Sequence, residues 1–182
     1  METVLAAARQ ALAGDRVRLR ELRDADLPML VDWWRSPDVA VFNDRIQPRP
    51  DKPLEEMYRQ WSDNGAASGA GFCVETVDGD LIGHVALWGA EGRNRCATFG
   101  IMIGPEHQSQ RLGSEATQIM VNYGFNELGL HRIELMVNAD NDRAIAAYRR
   151  AGFEREGLFR SKLFYGGRFH DQVFMAALSR SC

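Results

Sequence analysis

The chain has 182 residues, a length that suits one domain with a single substantial core, and 45% of its residues are hydrophobic. Its 22 Lys and Arg side chains nearly balance 25 Asp and Glu side chains, giving a formal net charge of −3, so no broad nucleic-acid or acidic-membrane surface is indicated. The three cysteines lack metal-binding spacing and no apolar run is long enough to span a membrane, so we expect reduced thiols, no metal and a cytoplasmic protein.

The first sixty residues predict an extension, a strand and two helices. Residues 1–14 are rich in alanine, which favours a helical extension that packs on the domain, packs on a second subunit of a homodimer, or frays. Residues 17–21 alternate apolar and polar side chains and predict a strand, and apolar residues at helical spacing over residues 27–34 predict the first helix. Pro53 can open a second helix with its own apolar face.

The middle of the chain predicts a hairpin followed by another strand. Residues 72–77 and 81–88 form the two strands of the hairpin. They are joined by Asp78-Gly79, a dipeptide that tolerates the positive φ angles of a type I′ turn. A polar excursion then leads to a short apolar strand that ends at Ile103.

The second half predicts a helix between two strands and a closing hairpin. The helix opens at Gly113, and the strand that follows it covers residues 132–138, so the crossover brings two strands together in parallel. A short helix over residues 144–150 precedes a hairpin of residues 154–162 with residues 169–178. These elements predict an α+β fold with a central mixed sheet flanked by helices.

The stretch from Phe99 to Ala116 is typical of an anion-binding site. An apolar strand, a Gly104-Pro105 break, a polar loop and a helix start together aim several backbone N–H groups into one concavity. The positive end of the helix dipole lies behind these donors, so they suit a pyrophosphate or another polyanion. An ordinary tight turn before a helix is the alternative interpretation.

Two motifs resemble those of the GNAT acyltransferase superfamily. The loop Gln108-x-x-Arg111-x-Gly113 is close to the loop that holds the pyrophosphate of coenzyme A in that family, Gln/Arg-x-x-Gly-x-Gly/Ala, with Arg111 in place of the first glycine. The stretch that begins at Asn141 and includes Tyr148 is similar to the family segment N-x-x-A-x-x-x-Y-x-x-x-G-F. Because Tyr148 lies two helical turns after Asn141, both side chains can contact one elongated ligand.

The resemblance extends over nearly all of residues 15–179 and implies one GNAT domain over residues 15–182. It also implies a mostly antiparallel sheet with a parallel strand pair around the acyl-CoA site. The opening residues 17–27 and the closing residues 166–171 resemble the RimJ/RimL-like branch, which is named for ribosomal-protein N-terminal acetyltransferases.

The resemblance further implies a role for each part of the site. The strand edge formed by Ile101, Met102 and Ile103 would pair with the pantetheine arm as an added strand, and Asn141 would orient that arm. A backbone N–H near Met102 would stabilise the oxyanion, and Tyr148 would protonate the departing sulfur. The pyrophosphate would be held by the backbone N–H groups of Gln108, Ser109, Gln110, Arg111, Leu112, Gly113 and Ser114.

The general base and two of the site roles have open alternatives. Thr98 stands where many relatives place a glutamate that helps deprotonate the amine, so the base is unassigned, with His84 and Glu106 as candidates. Tyr148 has a packed core aromatic as its alternative role. Asn141 has the role of a helix N-cap, which is compatible with ligand contact.

We therefore expect an enzyme that transfers an acetyl group from acetyl-CoA to a primary amine in a ternary complex. A peptide or protein N-terminal α-amine is the leading acceptor, because at pH 7 roughly a tenth of α-amines but only about one in two thousand lysine amines are neutral. The alternatives are acetylation or succinylation of a polyamine, an aminoglycoside or another small amine. An alternative of another class is a non-catalytic module that binds acyl-CoA.

Overall fold

The structure, a computed structural model, describes residues 11–41, 49–65 and 68–179. Its strands are β1 (Val17–Arg20), β2 (Gly69–Thr76), β3 (Leu81–Glu91), β4 (Cys96–Ile103), β5 (Arg132–Asn138), β6 (Glu154–Tyr165) and β7 (Arg168–Leu178). Its α-helices are α1 (Leu27–Arg35), α2 (Pro37–Ala40), α3 (Asp51–Trp61), α4 (Leu112–Asn126) and α5 (Asp142–Arg150). Short 3₁₀ turns cover Asp24–Asp26 and Pro105–His107.

The seven strands form one sheet in the order β1-β2-β3-β4-β5-β7-β6. All neighbouring strands are antiparallel except β4 and β5, which are parallel. The expected α+β fold with a mostly antiparallel sheet and one parallel pair is therefore confirmed. The parallel pair follows from the crossover through α4, because a chain that leaves one strand and returns through a helix re-enters the sheet in the same direction.

The sheet opens where β4 and β5 separate. The two strands are paired only over Cys96–Thr98 of β4 and residues 132–134 of β5. Beyond that point β4 continues along β3 as far as Ile103, whereas β5 continues along β7 as far as Asn138. The second half of β4 therefore has an unpaired edge, and a wedge lies between it and β5.

Two hydrophobic clusters hold helices against the two faces of the sheet. On one face, α4 and α5 pack on a core that includes Phe99, Met120 and Phe153. On the other face, α1, α2 and α3 enclose a smaller cluster that includes Tyr58 and Met102. Burying one such large apolar side chain contributes about 1.5–3 kcal/mol to the stability of the fold. The apolar side chains on the inner faces of the helices therefore hold them against the sheet.

The two hairpin turns differ in type: the β6–β7 turn is a type I′ turn, and the β2–β3 turn is not. In the β2–β3 turn only Gly79 has a positive φ, 99°, and the Thr76 N–H donates to the Asp80 carbonyl at 2.8 Å. The loop is therefore three residues long with a glycine at its end, and the predicted two-residue type I′ turn is wrong. Gly166-Gly167 joins β6 to β7 with φ angles of 59° and 76°, as a type I′ turn requires.

The predicted extension over residues 1–14 falls mostly outside the described residues. Its last four residues are not helical: Ala13 forms a bridge with Arg18, and the Leu12 carbonyl accepts a hydrogen bond from the Leu19 N–H at 2.7 Å. This segment covers the free edge of β1, which otherwise has a strand on one side only. Within the described residues no helix is both long and apolar enough to cross a membrane.

Candidate active site

A cleft with a volume of about 750 Å³ runs through the wedge between β4 and β5. At one end it is lined by the loop before α4 and by the first turns of α4 and α5. At the other end it is lined by aromatic side chains of α1, α3 and β3. The cleft therefore joins the two faces of the sheet past the unpaired edge of β4.

The direction of the hydrogen bonds along β4 decides which backbone groups face the wedge. The Gly104 N–H donates to the Ile82 carbonyl of β3 at 2.9 Å, and backbone groups alternate in direction along a strand. The N–H of Met102 therefore also points to β3, whereas those of Ile101 and Ile103 point into the wedge. The Ile103 carbonyl confirms this direction, because it accepts a hydrogen bond from Gln108 Nε2 at 3.1 Å across the open edge.

This register corrects one predicted role. Met102 cannot offer its N–H to an oxyanion in the wedge, because that group faces β3, and its side chain is buried in the cluster beneath α1 and α3. The N–H groups that face the wedge are those of Ile101 and Ile103. The predicted pairing of the strand edge with pantetheine remains available through Ile101 and Ile103.

The loop before α4 has the backbone geometry of an anion site. Ser109 and Arg111 both adopt the left-handed conformation, with φ angles of 63° and 65°. Left-handed residues among right-handed ones turn successive N–H groups toward one concave side, and the N-terminus of α4 adds its own free donors there. Of the seven predicted loop residues, five line the cleft: Gln108, Ser109, Arg111, Gly113 and Ser114.

The other two predicted loop residues lie outside the cleft lining. Gln110 is exposed, and its side chain donates to the Glu106 carbonyl at 3.1 Å. The side chain of Leu112 is buried in the core beneath α4. These observations concern their side chains, so the predicted role of their backbone N–H groups stays a prediction.

Arg111 shows why glycine is common at its position in the family pattern. A residue with a Cβ pays about 1–2 kcal/mol for the left-handed conformation, which glycine adopts freely. We expect Arg111→Gly to raise the melting temperature by a few °C, about 2–4 °C per kcal/mol for a chain of this size. We also expect a shallower salt dependence of CoA binding, because a charge that lines the cleft is removed.

Arg95→Gly is the matched control for this prediction. Arg95 is exposed, has a φ angle of 49°, and lies outside the cleft lining. The Arg95→Gly variant should have a higher melting temperature but the same salt dependence of CoA binding as wild type. Thermal melts and calorimetric titration with CoA measure the two quantities. Identical salt slopes for wild type and Arg111→Gly would mean that the loop binds phosphate through its backbone alone.

Arg143 is a site residue that the sequence analysis missed. Its guanidinium donates to Gln108 Oε1 at 2.7 Å and to Ser109 Oγ at 3.1 Å, so it ties α5 to the anion loop. The sequence contained one indication of this role. A positive charge in the first turn of a helix is disfavoured by the helix dipole, so an arginine at that position indicates a further interaction that compensates for it. Arg143 also lines the cleft, where its charge favours phosphate.

We expect Arg143→Met to raise the KM for acetyl-CoA about fivefold with little change in kcat, because the loop loses two hydrogen bonds to an exposed charge. Arg149→Met is the control, since Arg149 lies on the same helix, is exposed and does not line the cleft. Steady-state kinetics with varied acetyl-CoA measures both variants. Equal KM values for the two would contradict a role for Arg143 in the loop.

Asn141 caps α5 and also lines the cleft. Its Oδ1 accepts a hydrogen bond from the Ala144 N–H at 3.1 Å, which is an N-cap contact. The cap uses only the carbonyl oxygen of the side chain, so the amide N–H₂ is left to donate to an amide carbonyl in the cleft. The two roles considered for Asn141 are thus compatible in the structure.

Tyr148 reaches the cleft between two aromatic neighbours. Its ring makes edge contacts with Phe99 and Phe153, each at 5.9 Å between centroids. Burial raises the pKa of its phenol to about 12, so the hydroxyl is protonated throughout the neutral range. Its position along the cleft allows that hydroxyl to serve as a proton donor.

Neither of the two candidate bases, His84 and Glu106, is suited to accept the proton of the amine. Burial lowers the pKa of His84 to about 3, and its Nε2 is 2.8 Å from Ser62 Oγ, so it is a neutral hydrogen-bonding group. Glu106 accepts a hydrogen bond from the Trp33 indole at 3.0 Å and does not line the cleft. The remaining proton acceptors along the described lining are Asp38 and His107.

Comparison with known proteins decides the family. The acetyltransferase (GNAT) domain family matches residues 16–154, which is more than half of the chain. The chain belongs to this family. The predicted superfamily is therefore confirmed, and the chain is an acyl-CoA-dependent N-acetyltransferase with acetyl-CoA as its cosubstrate.

Three matches, two by sequence and one by structure, illustrate the relationship. The spermidine N(1)-acetyltransferase of Vibrio cholerae is 35% identical over 118 residues, 65% of this chain and 67% of that protein. YdaF of Bacillus subtilis, provisionally named a ribosomal N-acetyltransferase, is 32% identical over 128 residues, 70% of this chain and 67% of that protein. A crystal structure of V. cholerae spermidine N-acetyltransferase in complex with CoA and spermine has a TM-score of 0.80 at 29% identity, covering 89% of this chain and 95% of that one.

The residues present in the cleft fit acetyl-CoA. The open edge of β4 supplies donors and acceptors for the amides of pantetheine, and the left-handed loop supplies N–H groups for the pyrophosphate. Three arginines add positive charge along the lining: Arg111, Arg143 and Arg150. Within residues 11–41, 49–65 and 68–179, no group of His, Cys, Asp and Glu side chains could hold a metal ion.

Proposed function

We propose that the enzyme acetylates the primary amine of a small molecule. The size of the cleft carries this proposal: its volume of about 750 Å³ is in the range of small-molecule sites, and the pantetheine arm occupies part of it. The spermidine N-acetyltransferases among the similar proteins support a small amine as well. The peptide or protein N-terminus, which the sequence analysis placed first, becomes the second candidate, supported by the similarity to YdaF.

The transfer needs few groups from the protein. The Ile101 N–H polarises the acetyl carbonyl in the wedge, and a neutral amine attacks the carbonyl carbon as the C–S bond breaks. The Tyr148 hydroxyl gives a proton to the departing sulfur, and the amine loses its own proton to solvent or to Asp38. This reaction proceeds in one ternary complex, without an acyl-enzyme.

The acceptor's own ionisation is expected to set the pH dependence. Because neither His84 nor Glu106 serves as a base, log(kcat/KM) should rise with a slope near one until the amine itself is neutral. An α-amino amide, with a pKa near 8, should therefore level off about two pH units earlier than an alkylamine with a pKa near 10.4. A common midpoint for both amines would instead reveal an enzymic base.

CoA-thiol release with acetyl-CoA and succinyl-CoA tests the proposal directly. The acceptors are small monoamines, spermidine, an aminoglycoside, and short peptides with free and blocked N-termini. Turnover of small amines above that of the free peptides supports the proposal, and turnover of the peptides alone contradicts it. A thermal shift with CoA but no thiol release with any acceptor would favour the non-catalytic acyl-CoA-binding module. The predicted homodimer is checked by light scattering of the same preparation.

A further inference from the structure

The acceptor end of the cleft has a floor made of small residues. The register of β3 with β4 places Ala86 beside Gly100, with Trp88 beside Thr98 at one end and His84 beside Met102 at the other. These side chains share one face of the sheet, because alternate residues of a strand point to the same side. Because Ala86 and Gly100 are small, the aromatic rings above them approach the sheet closely, and Ala86 is only 2% exposed.

The indole of Trp88 forms the wall nearest to the reaction. A Cβ at Gly100 would lie 2.8 Å from Trp88 Cη2 and Cζ3, so the six-membered ring rests directly on that glycine. Gly100 precedes Ile101, whose N–H points into the wedge. An acceptor that reaches the acetyl carbon must pass beside this indole, which remains 38% exposed.

The aromatic wall continues onto the helices that cover this face. Trp61 of α3 lies nearly parallel to Trp88, with 6.0 Å between ring centroids and 14° between planes. Trp34 of α1 contacts Trp61 at 5.6 Å, and Tyr58 contacts both Trp34 and His84. The acceptor end is thus bounded by flat apolar surfaces from three elements.

Charge is scarce at this end of the cleft. Among the described residues that line the cleft, Asp38 is the one carboxylate, and Arg111 and Arg143 lie at the loop before α4. Asp38 can therefore pair with one further ammonium, and a third ammonium on the acceptor lacks a counter-charge among these residues. A Trp ring attracts an ammonium, but this attraction is smaller than the cost of taking an unpaired cation out of water.

We propose that the acceptor is a primary monoamine with an aromatic or flat apolar body, which lies against the indoles of Trp88 and Trp61 at this end of the cleft. The inference rests on the proposed function and narrows it. It departs from the polyamine that the names of the similar proteins suggest. The chemistry is unchanged: a C–N bond forms, the C–S bond breaks, the sulfur gains a proton and the amine loses one.

The first test compares primary amines that carry different groups: an aromatic ring, a short alkyl chain, or further amines. Full-length enzyme with saturating acetyl-CoA is assayed with 2-phenylethylamine, ethylamine, cadaverine and spermidine. We expect kcat/KM for 2-phenylethylamine to exceed each of the others by at least about tenfold, since only its ring gains the apolar contacts. A preference for cadaverine or spermidine overturns the inference and leaves the proposed function standing. Turnover of peptides alone overturns the proposed function itself.

The second test replaces side chains at the acceptor end of the cleft. Trp88→Ala and Trp61→Ala each remove one indole of the aromatic wall. For each, the ratio of kcat/KM between 2-phenylethylamine and ethylamine should fall at least about fivefold, mainly through KM for the aromatic amine. Phe164→Ala is the control, because Phe164 is 62% exposed on the distant β6–β7 hairpin and should leave the ratio unchanged. Equal losses for both amines in Trp61→Ala, with a normal melting temperature, would overturn the inference.

Discussion

Replacing Gly113 by valine is expected to raise the Kd for CoA by about 10- to 100-fold while leaving kcat at saturation nearly unchanged. Gly113 lies in the first turn of α4, where free N–H groups face the cleft. A Cβ there would already lie 3.1 Å from Ile103 Cγ1, so the two methyl groups of valine must enter the cleft or displace Ile103. Either change keeps the pyrophosphate from the backbone donors, and each charged hydrogen bond lost costs about 1.5–3 kcal/mol.

Gly92→Val is the matched control for Gly113→Val. Gly92 is exposed, has nothing within 4 Å of an added Cβ, and lies outside the cleft lining. Calorimetric titration with CoA gives the Kd values, and steady-state kinetics with excess acetyl-CoA gives kcat. A wild-type Kd in a folded Gly113→Val variant would place the pyrophosphate elsewhere on the protein.

The sequence predicts those parts of the fold that depend on local chemistry. The crossover from β4 through α4 to β5 could be predicted because helix and strand differ in hydrophobic period, and a crossover implies parallel strands. Gly152, with a φ angle of 93°, ends α5 as predicted, since a helix end in the left-handed conformation favours glycine. Asp78-Gly79 misled because the dipeptide fits both a type I′ turn and a longer loop, and strand register chooses between them.

The candidate site was predictable only where its residues are consecutive. The anion loop and the Asn141 to Tyr148 spacing are local patterns, and the structure places both along one cleft. The choice between Ile101 and Met102 depends on which edge of β4 pairs with β3, and no local pattern records that. The aromatic wall joins side chains from three separate elements, so it exists only once α1 and α3 are packed on the sheet.

The wedge begins where β5 stops pairing with β4 on one edge while it stays paired with β7 on the other. Seven residues of β5 pair with β7, whereas three pair with β4, so the antiparallel partner holds β5 along its full length. A sequence gives the strands but not the point at which one pairing stops, because that depends on the twist of the whole sheet. The site is built at this break, where a strand edge is left for a ligand to pair with.

Tyr148→Phe is expected to lower kcat by about a hundredfold, at the low end of the effect of a general acid, with little change in the apparent affinity for acetyl-CoA. The variant keeps the ring and its contacts with Phe99 and Phe153 but removes the proton donor. Because burial raises the pKa of the phenol to about 12, wild-type Tyr148 is fully protonated between about pH 6 and 9. The ratio of the two kcat values should therefore be constant over that range.

Tyr123→Phe separates the loss of a proton donor from the loss of any buried hydroxyl. Tyr123 is half-buried on α4, contacts Phe72 and does not line the cleft, so its variant should keep wild-type kcat. The expected loss for Tyr148→Phe is modest because a thiol with a pKa near 8.5 is already a tolerable leaving group, and protonation assists its departure. A folded Tyr148→Phe variant that retained more than about a third of kcat at every pH would fall outside the range of general acid catalysis. Tyr148 would then be a packing residue of the core, and the proton would reach the sulfur from solvent.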